Sequence, residues 1–293
     1  MHFRRLLLIL FTVCLASEPL RSQIPPEQEI YSRFGFGKFS EQIGGFANGK
    51  FTMQPNEVVV FVGQENLVRE QRYGMMEAML ASGFAEQKPR FRFMAWEADT
   101  VYEQWRDMNF GEWPAQLNAA GATMLVAQFG QMESLDGRER LTEFVSAYHR
   151  LLDEFARQTK RLVLLSPMPF EKPLASHAPD LTQRNDDVKA YAEAIREIAK
   201  QRGAIYLDLF SPFTKANRAE RRTNDGIHLS RQGLQAFGIE VARHLAVSPS
   251  TNLPKTLREE IVRKNQLWFD CWRPANWSFV YGDRVSQRYG KAG

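Results

Sequence analysis

The sequence predicts an α/β fold built on a five-stranded parallel sheet with helices on both faces. Three observations carry this. Short apolar runs recur, the first being Val58-Val59-Val60-Phe61-Val62. An unbroken apolar run of strand length is how a strand buried on both faces reads. Between the runs lie segments whose apolar residues repeat at helical spacing. The two patterns alternate along the chain, which is the order of a parallel sheet made by crossover connections.

The elements follow in turn. The first run ends in Gly63, and a helical stretch follows from about Val68 to Ala81. Arg90 to Met94 reads as the second strand, and Met124 to Phe129, closed by Gly130, as the third. Leu141, Phe144, Tyr148, Leu151, Leu152 and Phe155 mark a helix with one core-facing stripe. Leu162 to Leu165 is the fourth strand, stopped by Ser166-Pro167. Val188, Tyr191, Ile195 and Ile198 mark another amphipathic helix, Ile205 to Leu209 the fifth strand, and Leu234, Phe237, Val241 and Leu245 a further helix. A helix-like piece with Leu257, Ile261 and Leu267 comes after a Pro-containing loop. In such sheets ligands bind beyond the carboxyl ends of the strands, so the residues just after each strand are the candidates for function.

Composition narrows the function classes. The net charge of +4 comes without a Lys/Arg run or a nucleic-acid motif, so a nucleic-acid partner is not expected. Arg4 and Arg5 precede an apolar stretch from Leu6 to Leu15, with Cys14 and Ala16 at the −3 and −1 positions of a cleavage site. This is a secretory signal pattern, read here as a signal peptide over 1–22 and export to the periplasm or the extracellular space. The stretch is short for a membrane span, and an uncleaved anchor is the alternative. With Cys14 removed, Cys271 stands alone and no intrachain disulfide can form. No Cys/His spacing suits a metal, and neither metal nor organic cofactor is expected. Residues 23–55, rich in Gly, Pro and aromatics, read as a segment wrapping the domain surface.

The chemistry-bearing stretch is Asn224-Asp225-Gly226-Ile227-His228-Leu229-Ser230, between the fifth strand and the helix that follows it. An Asp and a His three apart on a turn can meet through Nδ1, which leaves Nε2 free to take or give a proton. The bland alternative is a helix cap beside an ordinary loop histidine.

Asp225-Gly226-Ile227-His228 near the end of a five-stranded α/β domain resembles the last block of the SGNH/GDSL hydrolase (esterase) family, exported bacterial type. Val58 to Gly63 resembles the first-block strand, Phe93 to Thr100 the second block, and Phe129-Gly130-Gln131-Met132-Glu133-Ser134 the third. Leu165-Ser166-Pro167, Asn185 and Thr223 to Gly233 continue the likeness, which spans residues 56–247 and leaves 248–293 as an aromatic-rich C-terminal extension. The resemblance implies a three-layer α/β/α sandwich, flavodoxin-like, and hydrolysis of ester or acyl bonds of a carbohydrate or lipid without a cofactor. It makes Asp225 and His228 the catalytic acid–base pair, and Gly63, Ala98, Gly130 and Glu133 candidate binding positions.

The departures matter as much. Aligned on Gly63, the family's aspartate falls on Gln64, its nucleophilic serine on Glu65, its oxyanion glycine on Ala98 and its third-block asparagine on Met132. Residues 63–68 hold no Ser, Thr or Cys. Ser134 and Ser166 are either replacement nucleophiles or turn residues bonding the backbone. Glu65, Glu97 and Glu133 each follow a strand. They could gather as a carboxylate cluster for acid–base chemistry or an oxygen-ligated cation, or could cap helices and face solvent. Arg69, Arg72 and Tyr73 could face the same rim or form a solvated helix face. Trp268, Trp272, Arg273 and Trp277 read as a sugar-stacking platform or a packing arm. Two functions stay open: a hydrolase using His228, Asp225 and Glu65 on a small-molecule or carbohydrate substrate, and a catalytically inactive carbohydrate-binding or scaffold protein.

Overall fold

The computed structural model describes residues 44–104, 111–215, 221–250 and 253–273. The expected signal peptide, most of the wrapping segment and Trp277 lie outside the described residues.

Five strands form the sheet: β1 (Val58–Gly63), β2 (Arg90–Phe93), β3 (Met124–Gln128), β4 (Leu162–Leu165) and β5 (Ile205–Leu207). All pairings are parallel, in the order β2-β1-β3-β4-β5. Eight α-helices are described: α1 (Glu65–Tyr73), α2 (Met75–Gly83), α3 (Trp113–Ala120), α4 (Leu141–Ala156), α5 (Asn185–Arg202), α6 (Phe210–Lys215), α7 (Arg231–His244) and α8 (Lys255–Trp272).

The side chains of β1 alternate between two cores. Val59 and Phe61 pack with Leu67, Met76, Phe237 and Val241 from α1, α2 and α7. Val58, Val60 and Val62 pack with Leu117, Tyr148, Leu152 and Ile195 from α3, α4 and α5. Helices therefore cover both faces of the sheet, and every residue of β1 is buried. That is why its sequence shows no polar alternation. A fully buried side chain such as Phe61 contributes about 1.5–3 kcal/mol.

The structure departs from the periodicity reading in three places. The single helix expected from Val68 to Ala81 is two helices broken at Gly74, whose φ is 63°. Glu70 is the cause: fully buried, its Oε1 accepts from the N–H of Met76 at 2.6 Å and of Glu77 at 3.1 Å, capping α2. The fifth strand stops at Leu207, not Leu209, because Ser166 Oγ takes the N–H groups of Leu209 and Phe210, both at 2.8 Å. α3 and α6 went unpredicted because they are short, eight and six residues, with too few turns to show an apolar stripe.

The C-terminal helix α8 packs against the β2 edge. Trp268 Nε1 donates to Phe93 O at 2.8 Å, Lys264 Nζ to Glu77 Oε1 at 2.6 Å, and Asn265 Nδ2 to Glu77 Oε2 at 2.9 Å. Trp272 meets Trp96 edge-on, and the Arg273 guanidinium lies 3.4 Å from the Trp96 ring centre. These residues act as a packing arm, and Arg273 already occupies one Trp96 face.

The strand order reverses direction between β1 and β3, and the crevice at that point is where such sheets hold ligands. The two strand ends approach very closely there. Gly63 has φ 131°, and a Cβ on it would stand 2.1 Å from Gln128 O. Gly63→Ala should therefore lower stability by roughly 3 kcal/mol, from steric overlap and an unfavourable backbone angle together. Urea unfolding would measure this.

Candidate active site

Asp225 and His228 meet as their spacing predicts. Asp225 Oδ2 lies 2.5 Å from His228 Nδ1, and Oδ1 accepts from the N–H of Ile227 at 3.0 Å and of His228 at 2.8 Å. Burial opposes ionisation of Asp225, but these three hydrogen bonds outweigh it and hold its carboxyl down at about 2. A carboxylate so held keeps the Nδ1 proton on the neutral imidazole, so Nε2 presents its lone pair. No group among the described residues hydrogen-bonds Nε2.

The turn that carries this pair is tied down from two sides. Glu171 accepts from Thr223 N at 2.8 Å and Thr223 Oγ1 at 2.6 Å, and its own N–H donates to Gly226 O at 2.9 Å. Gly226 has φ 88°, and a side chain there would strike Glu171 O at 2.3 Å. From the other side Arg69 Nε donates to Leu229 O at 2.8 Å. Arg69 is thus a strut between α1 and the histidine loop, not part of a solvated face. Sequence reading missed Glu171, whose only trace was the glycine facing it.

Glu65 opens α1, directly after Gln64 at the end of β1. Burial pushes its carboxyl up; the His228 imidazole pulls the other way, Glu97 adds to the rise, and Arg69 and Arg72 oppose it. Glu65 therefore shares the electrostatic environment of His228. No hydrogen bond joins the two side chains, and the polar neighbour of Glu65 is Arg69 Nη1 at 3.9 Å.

The expected cluster of three carboxylates does not form. Glu97 is half-exposed and clamped: Oε1 accepts from Arg72 at 2.9 Å and Oε2 from Arg273 at 2.7 Å. Burial alone would raise its carboxyl, but the Arg273 hydrogen bond and both guanidinium charges bring it below the usual range. Glu133 is 2% exposed and lies beneath the rim. Its Oε1 accepts from Val101 N at 2.9 Å, and its Oε2 from Gln64 Nε2 and Gly130 N, both at 2.8 Å. Burial raises its carboxyl against those bonds. Among the described residues no group of three or more His, Cys, Asp or Glu is arranged to hold a metal ion.

The remaining positions sort as follows. Gly63 shapes the β1–β3 crossing and has no side chain to offer. The Gly130 N–H is spent on Glu133, so Gly130 is structural. Ala98 is exposed in the Trp96–Asp99 turn with φ 64°, the left-handed geometry that favours glycine. The Ala98 N–H has no backbone partner among the described residues. Met132 is 40% exposed. Ser134 Oγ donates to Gln131 O at 2.7 Å, and Ser166 Oγ is held by two backbone N–H groups. Both serines are fully buried, which removes them as replacement nucleophiles.

Residues 68–236 match the GDSL-like Lipase/Acylhydrolase family. The chain belongs to this family. The matched stretch begins just after Glu65. GDSL esterase/lipase CPRD49 of Arabidopsis thaliana is 33% identical over 111 residues, covering 35% of this chain and 43% of that protein. The chain thus spans less than half of that relative's length. Among solved structures, BT4096, a gut microbial diltiazem-metabolizing enzyme, is similar with a TM-score of 0.55 and 16% identity, over 67% of this chain and 48% of that one. Axe2, an acetylxylan esterase from Geobacillus stearothermophilus, gives 0.53 and 14%, over 67% and 96%. At these identities the structures speak for the fold. Three of the Axe2 forms are catalytic mutants, one at a serine, one at an aspartate and one at a histidine three residues after that aspartate.

Because the Asp225 carboxyl is depressed in the folded chain, its stabilising contribution is present above the unfolded value near 4 and is lost as pH falls towards 2. His228→Ala removes the hydrogen bond that does most to lower it. A carbon-13 titration of the Asp225 carboxyl should then move up from about 2 towards 3.8.

Proposed function

We propose that this chain hydrolyses ester bonds with water, not a serine hydroxyl, as the attacking group. The 2.5 Å Asp225–His228 contact carries this reading. It orients an imidazole whose Nε2 can act as general base, and an oriented base of this kind supplies about 10²–10⁴ in rate. His228 takes a proton from water, the hydroxide adds to the ester carbonyl, and the Ala98 N–H faces the resulting oxyanion. Collapse expels the alkoxide, to which His228 returns the proton. Glu65 stabilises the imidazolium through its charge and hydrogen-bonds the attacking water. That charge also disfavours the oxyanion, and without an asparagine at Met132 one donor is missing, a loss of roughly 10²–10³. The enzyme is accordingly slow.

The substrate class we favour is a small acyl ester on a carbohydrate. The Asp–His spacing shared with the Axe2 mutants supports it, as does the export pattern at Arg4 to Ala16. The replacement of the serine by Glu65 and the exposed Met132 favour a second reading, an inactive carbohydrate-binding protein on the same fold.

Hydrolysis of p-nitrophenyl acetate and acetylated xylo-oligosaccharides decides between them. His228→Ala should lower the rate by about 10² or more. Glu65→Ser should add an acyl-enzyme burst absent from the wild type. Turnover indifferent to His228 would end the hydrolase reading and leave binding.

A further inference from the structure

Glu133 is a deeply buried carboxylate beneath the site, and the chemistry above does not use it. Each of its three partners comes from a different strand-end loop. Gln64 follows β1 and immediately precedes Glu65. Val101 lies three residues beyond Ala98 in the loop after β2. Gly130 follows β3, two residues before Met132. Of the four positions at which the alignment on Gly63 departs from the family pattern, Gln64 is itself a donor to this carboxylate, and Glu65, Ala98 and Met132 each lie within three residues of one.

A carboxylate suits this place better than any neutral side chain. It has four lone-pair directions and no proton to place, so it can accept from several N–H donors at once. A Gln in its position would turn an NH2 towards donors. The partner at residue 64 matches: its amide donates to Glu133, where an acid would repel it. Buried charge is tolerated only when it is fully hydrogen-bonded, and such networks fix one geometry and reject others.

We propose that Glu133 is the positioning residue of this site, locking the β1, β2 and β3 loops so that Glu65 and the Ala98 N–H hold a fixed separation, and that residue 64 is an amide because it must donate to this carboxylate. The catalytic part of this rests on the ester-hydrolase reading; the locking does not.

The test uses the full chain and the near-isosteric Glu133→Gln. Amide exchange at Val101 and Gly130 should accelerate roughly tenfold or more, since hydrogen bonds to a charged group are lost. Exchange in β1 and β4 should stay unchanged. For p-nitrophenyl acetate, kcat should fall about tenfold while KM stays within about twofold, because the substrate touches none of these groups. Gln64→Leu, which removes one donor only, should give smaller shifts in the same direction. It also serves as the test if Glu133→Gln does not fold. The double variant should be no worse than Glu133→Gln alone, as expected of coupled partners. Unchanged exchange at Val101 and Gly130, or acceleration spread evenly through the sheet, overturns the proposal. If the wild type hydrolyses no ester, the function reading fails, while the amide exchange still decides whether Glu133 locks the loops.

Discussion

The site depends on how closely β1 and β3 approach at their carboxyl ends. Only a residue without a side chain can stand at position 63, because the Gln128 carbonyl fills the space a Cβ would need. That approach draws the loops after β1 and β3 within reach of a single side chain. It lies where the strand order reverses, the place at which such sheets hold ligands. A bulkier residue would part the strand ends, and Glu133 could not then span the gap between Gln64 and Gly130.

Charge in this region is arranged in two tiers. Below the rim, Glu133 accepts from three N–H donors, with no cationic partner among the described residues. At the rim, Glu65 and Glu97 sit among Arg69, Arg72 and Arg273, and the arginines make the bonds between elements. Arg69 joins α1 to the histidine loop, and the two guanidinium groups on Glu97 join α1 and α8 to the turn containing Ala98. Exposed pairs of this kind contribute little to stability, about 0–1 kcal/mol each. Their consequence here is placement.

The centre of the sheet was legible in the sequence because burial on both faces leaves an uninterrupted apolar run, which β1, β3 and β4 keep, whereas β2 alternates Arg and Phe at the sheet edge. The Asp225–His228 pair was legible because the contact is local, three residues apart on one turn. Glu133 was visible only as a residue after a strand. Its three partners lie 3, 32 and 69 residues away, and no local pattern encodes them. The break at Gly74 escaped for a related reason: Glu70 reads as an ordinary helical residue until its burial and its two backbone donors are known. Short α3 gave no periodic signal, although Trp113 and Leu117 are core.

The last described residues alter where the functional unit ends. The family match closes at residue 236, within α7. Yet the wall beside Ala98 is finished by Arg273 and Trp272, some forty residues later along the chain, pressed on Trp96 and Glu97. A boundary drawn by family likeness would bisect that wall. In the vocabulary of modular evolution, the C-terminal helix has become part of the module it flanks, so the unit that would be inherited or transplanted intact is longer than the unit recognised as the family.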